Sequence, residues 1–288
     1  MKEVKLMTEL NENWLNQLPV NNIKQSRPVS GGDINDAYQI ITEDQTKYFL
    51  KVQPQHSKSY FDHEAAGLKL IGQVIMTPKP IAQGEINGDA YLLLNWIDDG
   101  SGSQHDLGVA VATMHQQHQT KFGFDHNHQS GNILKNNHWQ SSWSTFYTEQ
   151  RLDVLVEAAN QNHVWNTWRQ THFDQMRLTF VNYYRNHEVI PSLLHGDLWS
   201  GNYMFSTDGT PILIDPDVFY GDRELDLAMT TIFGGFNDQF YQAYQDIYPL
   251  ASGFEERLPW YQFYYLCMHL NLFGETYGGS VDRILGNY

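Results

Sequence analysis

An α+β fold in two lobes is what the 288-residue sequence predicts, and three observations carry that expectation. Short runs rich in β-branched and aromatic residues crowd the first hundred positions, the signature of strands. Beyond residue 104 the apolar residues fall instead at helical spacing. Between these regions DDGSGS, Asp98 to Ser103, reads as a flexible joint. The expected division is a β-rich lobe over residues 1–97, a linker over 98–103 and a helical lobe over 104–288. Ligands commonly bind in the cleft between two such lobes.

In chain order, Ile23 to Val29 supplies a first strand, followed by the loop SGGDIND. AYQIIT (Ala37 to Thr42) and KYFLKV (Lys47 to Val52) form a hairpin across EDQ. SYFDHEAAGLKLIGQ, Ser59 to Gln73, sets Phe61, Ala65, Leu68 and Ile71 on one helical face. YLLLNWI, Tyr91 to Ile97, is apolar enough for a buried strand. Helices are expected over Gln104 to Gln119, Trp143 to Ala159, His163 to His187 and much of the chain after Asp222. YMF and PILI bracket the turn STDGT and form a small hairpin ending at Ile214.

Composition narrows the class. A 41% hydrophobic, 18% charged chain is globular, and it has no apolar run near the roughly 20 residues that cross a bilayer. The first residues, MKEVKLMTELNENWLNQLP, lack the apolar segment of a signal peptide, so a soluble, cytoplasmic protein is expected. The single cysteine, Cys267, excludes an intramolecular disulfide and sits in an apolar run that would bury it. A formal charge of −15 repels phosphate backbones and anionic membranes, which disfavours nucleic acid and membrane partners.

The chemistry is concentrated in HGDLWSGN and the strand-borne aspartate that follows it. Asp197 and Asn202 precede the small hairpin and Asp215 ends it, so folding brings the three together. Each has a plain alternative: a turn cap for Asp197, a left-handed position for Asn202, a helix start for Asp215. Together, H-x-D-x4-N and a later Asp match a kinase catalytic loop and its metal element. Asn202 and Asp215 offer the hard oxygens magnesium prefers, and Asp197 is placed to take a proton from an attacking hydroxyl. Upstream, Gly31 and Gly32 can turn tightly over phosphates. Lys51 is either an exposed edge lysine or a phosphate contact. Glu64 is either a solvated helix residue or the salt-bridge partner of Lys51.

Trp199 after HGDL gives this stretch a narrower likeness: HGDLWSGN resembles the fructosamine kinases, or ketosamine-3-kinases. The likeness extends through IDPDVFYGDRELDLAMTTIFGGF and HLNLFGETYGG, and upstream through SGGDIN, FLK, FDHEAAGL, FGFD, Trp139, Trp143 and the RL of Arg151 and Leu152. It covers roughly residues 25–280. The resemblance implies a protein-kinase-like fold, ATP and Mg2+ as cofactors, and phosphorylation of the 3-hydroxyl of fructosamines or ribulosamines, free or protein-bound. It implies Asp197 as base, Asn202 and Asp215 on magnesium, Lys51 on phosphates held by Glu64, and Gly31 and Gly32 over the phosphates. Asn95, Trp96 and Ile97 take the adenine-binding hinge, and Asp226 supports the catalytic loop. Trp199 offers a flat face for a sugar or a methylene chain, or packs in the core.

Three departures from the family pattern bear on the acceptor. Asp217 stands where a small residue is usual and adds either a metal contact or a solvated charge. Lys135 stands where Gln is usual, with Ser130 replacing an apolar residue. His115 and His118, and His126 and His128 in DHNHQSG, read as solvated loop histidines, not a metal site. Other acceptors on the same fold, an aminoglycoside or amino alcohol, and a nucleotide-binding pseudokinase are the competing functions; the retained Lys51, Glu64, Asp197, Asn202 and Asp215 argue against the last.

Overall fold

Side-chain alternation along β-strands explains how the first part of the chain is layered. The computed structural model describes residues 10–29, 35–130 and 133–288. A short helix, α1 (Glu12–Leu15), is capped by the Asn11 side chain, which accepts from Trp14 N at 2.9 Å. The strands β1 (Ile23–Pro28), β2 (Asp36–Thr42), β3 (Lys47–Gln53), β4 (Pro80–Ile86) and β5 (Asp89–Asn95) follow. They form one sheet in the order β1-β2-β3-β5-β4, with every neighbouring pair antiparallel. A 3-10 turn, Lys58–Phe61, and helix α2 (Asp62–Ile71) connect β3 to β4.

Leu50, Val52 and Leu93 pack with Trp14 and Leu18 on one face of the sheet. Leu92 and Leu94 pack with Phe61, Ala65 and Leu68 of the α2 region on the other. Successive residues of a strand alternate faces, so Lys51, between Leu50 and Val52, must point toward α2. It pairs with Ala37 on one side and Leu92 on the other, in a central strand. The exposed-edge reading of Lys51 is therefore wrong; the residue is buried. Strand β4 escaped the sequence reading although Asn87-Gly88, with φ 54° and 88°, is a favoured two-residue hairpin turn.

The remaining elements are α3 (Gln104–His115), β6 (His128–Ser130), β7 (Ile133–Lys135), α4 (Trp143–Tyr147), α5 (Asp153–Gln161) and α6 (Thr167–Tyr184). Then come β8 (Ser192–Leu194), β9 (Tyr203–Phe205), β10 (Pro211–Leu213), β11 (Phe219–Gly221), α7 (Glu224–Thr230), α8 (Asp238–Ile247), α9 (Phe254–Phe273) and α10 (Gly278–Leu285). Helix α3 stops short of Gln119 because residues 117 and 119 bond instead to Leu193 and Pro191 ahead of the catalytic loop. Helix α6 begins at Thr167 rather than His163, where the Asn166 side chain caps Arg169 N at 2.9 Å. No helix among the described residues is long and apolar enough to cross a membrane.

The aromatic-rich α9 forms the centre of the helical part, and Cys267 is buried there with its thiol pushed up to about 12 by burial. Arg151 is also fully buried, its guanidinium over the neighbouring rings of Phe146 and Phe219 at 4.5 and 4.4 Å. It donates to Asn136 O at 2.8 Å and to the Asn137 side chain, which pins the segment after β7 and so places Lys135.

Helix α2 lies close against the segment after Asp215: a Cβ on Gly67 would stand 2.6 Å from Val218 Cγ1. Its seat on the sheet depends on Phe61, 1% exposed. Replacing Phe61 with Ala should cost about 3–5 kcal/mol of stability. Urea unfolding would measure it, and a loss below about 1 kcal/mol would contradict this account of the packing.

Candidate active site

Two turns and one buried carboxylate build the site. The catalytic loop runs from β8 to β9, and the β9–β10 hairpin pairs Tyr203 with Leu213. Ile214 N donates to Asn202 O at 3.0 Å, extending the ladder by one step. Asp215 follows at once, with φ +53°, a left-handed conformation uncommon for a residue with a Cβ. That bend turns its carboxylate to Lys51 Nζ at 2.8 Å. Lys51 also reaches Glu64 Oε1 at 2.8 Å. Burial opposes the charge of Lys51, and the carboxylates of Asp215 and Glu64 override it, raising its affinity for the proton.

Asp226, fully buried on α7, organises the loop backbone. Its Oδ2 accepts from His195 N at 2.7 Å and its Oδ1 from Gly196 N at 2.8 Å. His115 Nε2 donates to the same carboxylate at 3.1 Å, while its Nδ1 accepts from Tyr244 Oη at 2.8 Å. His195 Nε2 donates to Ile214 O at 2.8 Å. Gly196 has φ +83°, and a Cβ there would lie 1.9 Å from Asp217 O. Only glycine fits.

Asn202 Nδ2 donates to Asp197 O at 2.8 Å and Asp197 Oδ2 at 2.9 Å, so its Oδ1 is left to accept or to bind a cation. Burial raises the Asp197 carboxyl to about 7, against the opposing pull of Lys135. Lys51, Glu64, Asp197, Asn202 and Asp215 all line one cavity of about 560 Å³. Two lysines, 51 and 135, face four carboxylates there, an excess of negative charge suited to a divalent cation.

Trp199 lies on the cavity wall, 39% exposed, so core packing does not describe it. Phe233, His269, Phe273 and Tyr277 extend that wall as an aromatic cluster. Sequence reasoning missed it because the residues come from two distant segments. Asp217 is not a solvated charge: it is buried and bonded to Lys135 Nζ, another departure from the family pattern. Burial opposes its ionisation, but the Lys135 ammonium holds its carboxyl well below the usual range.

The histidine expectation also needs correction. His126 and His118 are exposed, but His115 is fully buried under Asp226. His128 is half-buried against His63, ring centroids 4.7 Å apart, and burial pushes its imidazole down to about 3. Of the expected hinge, Asn95 N donates to Lys79 O at 3.2 Å and Trp96 N to Lys47 O at 3.3 Å. Residues 95–97 do not line the cavity holding Asp197. Gly31 and Gly32 lie outside the described residues.

A five-stranded sheet with one helix, over a helical body with this lysine–glutamate–aspartate arrangement, defines a protein-kinase-like phosphotransferase fold. The solved aminoglycoside phosphotransferase APH(4)-Ia, in complex with AMP-PNP and hygromycin B, shares the fold: TM-score 0.65 at 15% identity, covering 96% of this chain and 98% of that one. The model of the fructosamine kinase family matches residues 7–288, and the chain belongs to that family of ATP-dependent phosphotransferases. A relative in Lactiplantibacillus plantarum named "Probable ketoamine kinase" is 60% identical over 279 residues, covering 97% of this chain and 99% of the relative. The chloroplastic protein-ribulosamine 3-kinase of Arabidopsis thaliana is 33% identical, covering 90% and 81%. A solved Haemophilus somnus structure bearing the fructosamine-3-kinase name superposes with a TM-score of 0.82 at 27% identity, covering 92% of this chain and 91% of the other.

Asp226→Ala would leave two loop N–H groups and His115 unpaired in the core. Each such group costs about 1–3 kcal/mol, so both the unfolding midpoint and phosphoryl transfer should fall. An unchanged midpoint would mean the loop is held by something else.

Proposed function

We propose that the protein transfers the γ-phosphoryl group of ATP to the 3-hydroxyl of a ketosamine, a fructosyl- or ribulosyl-amine. The convergence of Lys51, Asp197, Asn202 and Asp215 on one cavity carries this reading, and family membership supports the acceptor class. Asp197 orients the acceptor hydroxyl and takes its proton as that oxygen attacks phosphorus. The bond to the β-phosphate oxygen breaks and ADP leaves. A carboxyl raised to about 7 is well matched to accepting a proton near neutral pH.

Lys51 contacts the phosphates, held by Glu64. Asn202 Oδ1 and the half-exposed Asp215 carboxylate form a hard-oxygen pair that fits magnesium. When bound, the ion neutralises charge developing on the phosphates. Asn95 and Trp96 spend their N–H groups on Lys79 and Lys47, so adenine is left the carbonyl groups there and Ile97. Residues 98–103 act as the linker between a nucleotide-binding lobe over 1–97 and an acceptor lobe over 104–288. Trp199 and the aromatic wall receive the sugar and the cationic amine, a surface suited to cation–π contact. A cytoplasmic reaction is part of this reading.

Two substitutions separate the roles. Asp197→Ala should lower kcat by about 10²–10⁴ on a fructosyl-lysine analogue, with ATP affinity nearly unchanged. Full turnover in that variant would remove Asp197 as the base. Asp215→Ala should instead abolish the magnesium dependence of nucleotide binding, measured calorimetrically across a magnesium titration. Robust turnover on an aminoglycoside with none on ketosamines would reassign the acceptor.

A further inference from the structure

Behind the aspartate–lysine pair lies a group of side chains that phosphoryl transfer does not use. His63 on α2, His128 on β6 and Asp217 each offer one ligand atom, and these atoms all lie within 4.8 Å of one another. His63 Nδ1 is 3.1 Å from His126 O. A carbonyl oxygen can only accept, so Nδ1 carries the hydrogen, and the Nε2 lone pair, open to a proton or a metal ion, points the other way. That lone pair meets Asp217 Oδ1 at 3.3 Å. Both atoms are buried and neither has a hydrogen-bond partner. Two lone pairs held face to face in a buried site repel unless something positive lies between them.

We propose that His63 Nε2, His128 and Asp217 Oδ1 bind a first-row divalent transition metal, zinc foremost, at a site separate from the Asn202–Asp215 pair. The 3.3 Å separation matches the about 3.3–3.4 Å edge of a tetrahedron with metal–ligand bonds near 2.0–2.1 Å. Two imidazoles and one carboxylate suit zinc and its neighbours, whereas magnesium prefers oxygen. The outer contacts are also those of a metal site. His126 O orients the His63 ring, and Lys135 holds the other oxygen of Asp217, leaving Oδ1 free to ligate. His128 and Asp217 line the acceptor cavity, so a fourth coordination position would open toward it. A metal there would tie α2, which carries Glu64, to the segment two residues beyond Asp215.

The test uses the full-length protein, stripped with a chelator and titrated with zinc in excess magnesium without nucleotide. One equivalent should bind. His128→Gln and Asp217→Asn should each weaken it by at least the about 10–100-fold typical of losing an outer-shell partner. Absence of binding overturns the proposal, with a proton on His63 then the charge between the atoms. So does binding that both substitutions leave unchanged, which would place the zinc elsewhere. X-ray absorption on the zinc-loaded wild type gives a readout independent of how the variants fold. Two imidazoles and an oxygen donor are expected, and a shell without imidazole refutes the site.

Discussion

Lys51 bonds to Glu64 and to Asp215 at 2.8 Å each, and through those two contacts the sheet, α2 and the β9–β10 hairpin share one fixed point. The two bonds are not equal in energy. Lys51 and Glu64 are both buried, so removing Lys51 strands the Glu64 carboxyl at a cost of about 3–5 kcal/mol, whereas removing Glu64 leaves Lys51 its bond to Asp215. Asp215 is open to the cavity, and its bond to Lys51 is correspondingly softer. A rigid lysine with one exchangeable carboxylate fits the roles proposed for the pair, Lys51 on phosphate and Asp215 on a cation.

Charge around the cavity is organised in layers. Asp197 lines the cavity, its carboxyl raised by burial above all and further by the charges of Asp217 and Asp215. Behind it the Lys135–Asp217 pair neutralises itself, so these two of the departures from the family pattern offset each other electrostatically. Neither was predictable as a partner of the other from sequence spacing, since 82 residues separate them. Arg151 makes the pairing possible by pinning the segment after β7 from within the core.

Most of the sheet, α2, the hairpin and the Lys51–Glu64–Asp197–Asn202–Asp215 set were legible because each rests on local pattern plus chain order. Strand alternation alone sends Lys51 toward Glu64. The parts that were not legible depend on packing between distant segments. His128 sits in a polar stretch that looks solvated, and the packing of His63 from α2 against it helps to remove it from water. Trp199 was ambiguous for the opposite reason: an indole is compatible with core or cavity, and its ring folds over Gly201 to face the latter. Helix ends at His115 and Thr167 shifted because backbone partners and a capping asparagine, not periodicity, decide where a helix stops.

The histidine of HGD shows how geometry separates a positioning group from a chemical one. Its Nε2 faces the carbonyl oxygen of Ile214 at 2.8 Å, so that nitrogen carries the hydrogen. Nδ1 then accepts from Asp197 N at 3.3 Å, which uses the remaining lone pair. Burial lowers the imidazole's affinity for a second proton, and the ring stays neutral. With both nitrogens committed to backbone groups, His195 has no lone pair to offer an acceptor hydroxyl. What it does instead is hold Ile214, and therefore Asp215, at a fixed distance from the loop that carries Asp197. In the proposed reaction the proton therefore goes to the carboxylate beside it, Asp197.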